Sequence, residues 1–133
     1  MTKYLMLIVA AALIVSCKSN TIYFDLDKKE ITSCNDAVLS RVMVEGQDGT
    51  ESFMFKLKPG HRGKTYMNIE NPDTIFTITD MPFGEMKNHG FTLKPSSEYK
   101  ISNLSNGDAA DSSLLILTDK NSKIIHADIV DCN

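Results

Sequence analysis

His126 and Asp128 stand two residues apart near the end of the chain, an imidazole and a carboxylate separated by Ala127. On an extended strand, residues two apart share a face, so this pair could offer two ligands to a metal. A zinc site needs three or four converging ligands, and the other histidines, His61 and His89, lie in separate polar stretches. The pair therefore reads as the solvated face of a last strand, with Ile125, Ala127 and Ile129 on its core face. No metal or other cofactor is expected. Carboxylates also gather at Asp25, Asp27, Glu30 and Asp36, and again at Asp108 and Asp111. Neither group keeps the calcium-loop spacing with its closing Glu. No Gly-x-Ser-x-Gly elbow, phosphate loop or His-Glu-x-x-His helix is present. No catalytic residue is assigned, and an enzyme is not expected.

Two other stretches carry binding chemistry. "KLKPGHRGK", residues 56–64, gathers Lys56, Lys58, His61, Arg62 and Lys64 on a chain whose net charge is −3. Such a hairpin tip suits anionic lipid, lipopolysaccharide or an acidic partner; a charged turn that merely keeps the chain soluble has the same composition. "DMPFGEMKNHG", residues 80–90, sets Met81, Phe83 and Met86 among turn formers. Exposed, these three would form an adaptable contact patch, since Met and aromatic side chains favour partner surfaces. Buried, they would close one end of the domain. Partner contacts are assigned to Met81, Phe83 and Met86 and to Lys58, His61, Arg62 and Lys64. No long basic run is present, so nucleic acid is not an expected partner.

The elements that must position these residues read as strands. Phe53, Phe55 and Leu57 alternate with Ser52, Met54 and Lys56. Thr65, Met67 and Ile69 repeat the pattern, as do Phe76 and Ile78, Phe91 and Leu93, and Tyr99 and Ile101. Residues 22–26 form a short apolar run. Val38, Val42 and Val44 share a face, residues 114–117 read as a strand buried on both sides, and residues 125–129 close the series. Period-two runs split by Gly, Pro, Asn and Asp mark a sandwich or barrel. The one helical candidate is a turn over residues 32–37, with Thr32 or Ser33 as its cap.

The chain begins MTKYLMLIVAAALIVSC. Lys3 precedes eleven apolar residues, 5–15, too few to span a bilayer, which takes about 20, but enough for a signal-peptide core. Ile14-Val15-Ser16-Cys17 then resembles the lipobox of bacterial lipoproteins. The resemblance implies cleavage before Cys17, with lipid on its thiol and on the new amino group. It implies a membrane attachment that two or more acyl chains make firm. Lys18, where such proteins often carry an Asp for inner-membrane retention, points to the outer membrane. The expected organisation is a leader over residues 1–16, a lipidated Cys17 with a short tether over 17–21, and one domain over 22–133. Loss of the leader leaves 117 residues with net charge −4, a size that supports a single core.

With Cys17 carrying lipid, Cys34 and Cys132 remain as an even pair in a compartment where disulfides persist. A bridge between them is expected; two free, buried cysteines are the alternative. "LKPSSEYKI", residues 93–101, is similar to a late crossing in immunoglobulin-like and fibronectin type III sandwiches. That likeness implies that the Tyr99 hydroxyl bonds back to the backbone. The fold expected is all-β, an immunoglobulin-like antiparallel sandwich of about seven to nine strands. The expected function is a lipid-anchored envelope protein that binds another protein, as a complex subunit or an immunity-type protein. A small-ligand or glycan-binding lipoprotein is the alternative; the absence of Trp weakens it.

Overall fold

A computed structural model describes residues 19–81, 84–86, 91–107 and 112–133, with Met86 described by its backbone. The described residues form ten strands in two antiparallel sheets and contain no helix. β1 (Ile22–Asp25), β2 (Glu30–Ser33) and β5 (Tyr66–Asn68) make the smaller sheet in the order β1-β2-β5. The larger sheet holds β3 (Arg41–Gly46), β4 (Ser52–Leu57), β6 (Phe76–Asp80), β7 (Gly84–Met86), β8 (Glu98–Asn103), β9 (Ser112–Thr118) and β10 (Ile124–Ala127). Its order is β10-β9-β8-β3-β4-β6-β7.

The sheets face one another across a single apolar core. Ile22, Phe24, Ile31, Met67 and Ile69 come from the smaller side, and Val42, Val44, Phe55, Ile78, Ile101 and Ile116 from the larger. The alternation read in the sequence is the cause: in β4, Phe53 and Phe55 are buried while Ser52, Met54 and Lys56 face outward. Phe91 and Leu93 are also buried, yet they belong to no strand. Phe91 instead seats its ring edge-on against Phe53 and Phe55, with centroids 5.0 Å away in each case, a favoured aromatic geometry.

Several local expectations change. Residues 32–37 make no helix: β2 runs to Ser33, and Asp36 takes a positive φ of 52°. Ser33 still caps the turn, its Oγ accepting the Ala37 N–H at 3.1 Å. Val38 is exposed and Leu39 buried, because β3 starts only at Arg41. Residues 114–117 alternate, with Leu114 and Ile116 buried and Leu117 exposed. In β10 the register against β9 shifts between Ile124 and His126. An extra residue at such a bulge reverses the facing of the residues beyond it. Ile124 and Ala127 are therefore buried, while Ile125 and Ile129 are exposed. The count of ten strands exceeds the expected range because β2 and the three-residue β7 were not visible as runs.

Cys34 and Cys132 form a disulfide with Cα atoms 5.2 Å apart and a sequence separation of 98. It joins the segment after β2 in the smaller sheet to the segment after β10 in the larger.

Candidate functional site

The antiparallel strands of the larger sheet give it two ends, and the candidate residues divide between them. Asn20 marks the first. Its side-chain N–H donates to the Asn106 carbonyl at 2.8 Å, its Oδ1 accepts the Asn106 N–H at 2.8 Å, and its own carbonyl accepts from Asn103 Nδ2 at 3.0 Å. Asn103 closes β8 and pairs with Val42 at the start of β3. Arg41, just before it, pairs with Lys56 near the end of β4. The start of the described chain, the start of β3 and the end of β4 therefore share one end.

The basic turn springs from that end. It is not the tip of a hairpin, as its sequence suggested, but a crossover from β4 in the larger sheet to β5 in the smaller. Backbone bonds hold it at both flanks: Lys58 N–H to the Ile75 carbonyl at 2.9 Å, and Leu39 N–H to the Lys64 carbonyl at 2.9 Å. Gly63 lies so close beneath Val38 that a Cβ there would come within 2.3 Å of a Val38 methyl. Only a residue without a side chain permits that approach. Lys64 bonds Asp73 at 3.1 Å and sits 5.6 Å from the Tyr66 ring centroid. The Asp73 bond holds the Lys64 ammonium above its usual range. The Ile75 N–H, and then Lys64, hold the Asp73 carboxyl below its own. His61 and Arg62 are exposed, and Lys58 is half-buried. Among the described residues neither Lys58 nor Arg62 forms an ion pair.

Met81 lies at the other end. Its N–H donates to the Ser52 carbonyl at the start of β4, and its side chain is 47% exposed. Phe83 and the Met86 side chain lie outside the described residues. β4 spans six residues, so the basic turn and the Met81 loop are separated by about 17 Å of strand. The two assigned patches are thus brought to opposite ends of the domain.

This second end is also where Tyr99 is fixed. Its hydroxyl accepts the Lys94 N–H at 2.8 Å and donates to Glu51 Oε2 at 2.5 Å. Burial, and then the Glu51 bond, hold the hydroxyl far above the usual phenol range. Asp48, with Thr50 bonded to it, and Asp119, at the turn into β10, add carboxylates here, each held below its ordinary pKa by backbone N–H groups.

His126 and Asp128 are both exposed. Asp128 is engaged with β9: its Oδ2 accepts the Leu115 N–H at 3.0 Å and its N–H donates to the Leu115 carbonyl. Among the described residues no group of three His, Cys, Asp or Glu could hold a metal ion; His89, Asp108 and Asp111 lie outside them, as do Cys17 and Lys18. One feature escaped sequence reasoning. A groove of about 410 Å³ opens between β5 and the start of β6, lined by Lys64, Tyr66, Asn68, Asn71 and Asp73 among others. The outward Tyr66 of a short edge strand was its only signal. No helix of the described residues is long and apolar enough to cross a membrane. No protein-family model, curated protein or solved structure matches this chain.

Proposed function

We propose that this protein is a lipid-anchored envelope component, attached through Cys17, that presents a rigid β-sandwich to a protein partner. One observation supports this most: the described chain starts at the end of the domain opposite Met81. An anchor at Cys17 leaves the Met81 loop pointing away from the membrane, with a large apolar side chain exposed. An exposed methionine close in sequence to a phenylalanine suits an adaptable protein contact. Crosslinking and capture from envelope fractions tests the reading. Met81→Ser with Phe83→Ser should weaken capture of the recovered protein, chiefly through faster dissociation. Folded variants that capture it as well as the unaltered chain would move the contact elsewhere.

The groove beside Tyr66 favours a second reading, a small-ligand or glycan lipoprotein. Its volume falls in the range of ligand sites, and it combines an aromatic face with the amides of Asn68 and Asn71. Binding of a saccharide panel that disappears in Tyr66→Ala would favour it over the protein partner.

A further inference from the structure

We infer that the basic turn of residues 58–64 is a membrane-facing surface that takes the anionic headgroups of the membrane holding the anchor. This rests on the lipid-anchor reading above. Cys17 lies three residues before Asn20, which is fixed by three hydrogen bonds to Asn103 and Asn106. Three residues reach about 10 Å when extended, close to the screening length of about 8 Å at physiological salt. The end of the domain that carries Asn20 therefore lies within electrostatic reach of the headgroups. The basic turn leaves from that end, beside Arg41 and Lys56.

Three features suit the turn to this role. Its backbone is held at both flanks by bonds to Ile75 and Leu39, so its cations are presented without a large ordering cost. Lys58 and Arg62 form no ion pair among the described residues, and only Lys64 is committed, to Asp73. The far end carries both signs, with Asp25, Asp48, Glu98 and Asp119 beside Lys28, Lys94, Lys120 and Lys123 and carboxylates in excess, and an anionic surface would push that excess outward. At the near end Asp128 is bonded to β9, so it lies about four strands across the larger sheet from β4, or about 19 Å, whereas Asp131 sits beside Cys132, which the disulfide holds at Cys34, and Asp36 is exposed two residues beyond Cys34. The turn thus sets the tilt of the domain, and the Met81 end is held toward the partner.

The test uses the full-length protein reconstituted into phosphatidylcholine vesicles with and without phosphatidylglycerol. A water-soluble amine reagent labels lysines, and mass spectrometry reads Lys58 against Lys120, which is exposed at the far end. With phosphatidylglycerol the Lys58-to-Lys120 labelling ratio should fall, and high salt should restore it. Arg62→Glu removes one cation and adds an anion, and should cut the protection by roughly five-fold or more. An equal ratio on both vesicle types would overturn the inference. So would a ratio that falls only when an acidic envelope protein is added, which would assign the turn to a protein. The anchor is scored separately, by flotation with phosphatidylcholine alone and by the mass of the Cys17 peptide. Lipid-free Cys17 with Lys58 still protected would remove the anchor and keep the lipid-binding turn.

Discussion

Replacing Tyr99 by Phe deletes one oxygen from the middle of the Met81 end, and its cost can be worked from the bonds it breaks. The side chain is fully buried, so the ring's apolar contacts persist in Tyr99→Phe. What goes is the acceptor for the Lys94 N–H and the donor to Glu51. An N–H left without its partner costs about 1–3 kcal/mol when buried, and the part-buried Lys94 N–H, on an exposed residue, falls at the low end of that range. Losing a bond to a charged carboxylate costs about 1.5–3 kcal/mol, partly offset because Glu51 keeps Lys94 Nζ at 3.9 Å. Taken together we expect a loss of about 3 kcal/mol, or a melting temperature lower by about 12 °C at about 4 °C per kcal/mol for a domain of this size. Urea unfolding should show the midpoint moving with an unchanged slope. Glu51→Gln keeps an acceptor for the Tyr99 hydroxyl and should cost clearly less. pH provides an independent arm. The folded hydroxyl titrates above its unfolded value, so its contribution is complete below about pH 10 and falls at up to about 1.4 kcal/mol per pH unit above it; Tyr99→Phe should flatten that alkaline decline. A Tyr99→Phe loss below about 0.5 kcal/mol, or an alkaline profile identical to that of the unaltered protein, would refute the reasoning.

Three other outcomes rest on the same geometry. Cys34→Ser with Cys132→Ser should fold but lose up to about 4.7 kcal/mol, the chain-entropy value for a loop near 100 residues; unreduced protein that titrates two thiols from these positions would exclude the bridge. Gly63→Ala should destabilise by about 1–3 kcal/mol through overpacking against Val38, and Val38→Ala in the same chain should restore most of it in a double-mutant cycle of chemical unfolding. Asp73 titrates below its unfolded value, so the order it gives the basic turn should be complete above the ordinary carboxylate range and lost as pH falls through the lower folded value. Amide exchange of residues 58–64 tracked on acidification reads this, and Asp73→Asn should exchange fast at every pH.

Strands whose apolar residues alternate without interruption were legible from the chain alone: β4, β6 and β8 each put their predicted residues inward. β2 was hidden because "EITS" offers one apolar residue, Ile31, to make a pattern. In β10 the sequence places Ala127 inward correctly but not Ile125 and Ile129, because a bulge leaves no mark in composition. Phe91 and Leu93 were correctly read as inward but wrongly as paired, since burial and backbone pairing are separate demands. The candidate patches were each visible as composition. Their placement at opposite ends was not, because it depends on the crossover from β4 to a strand in the other sheet. Neighbours in sequence read naturally as a hairpin, whereas β5 pairs with β2 in the smaller sheet.

The Cys34–Cys132 bridge has a mechanical consequence. Pulled at Ser19 and Asn133, the domain bears tension only through residues 19–34 and 132–133, because the disulfide carries the load past everything between. At about 3.4 Å per residue the shielded loop would otherwise release about 330 Å of length; the exposed segment releases only about 50 Å. Ile22 pairs with Ser33, next to Cys34, so the load would unzip β1 from β2 one pair at a time rather than shear the hairpin whole. Force spectroscopy should record one short extension at low force, after the Asn20 contacts give way, and then a domain that stretches no further until the disulfide is reduced.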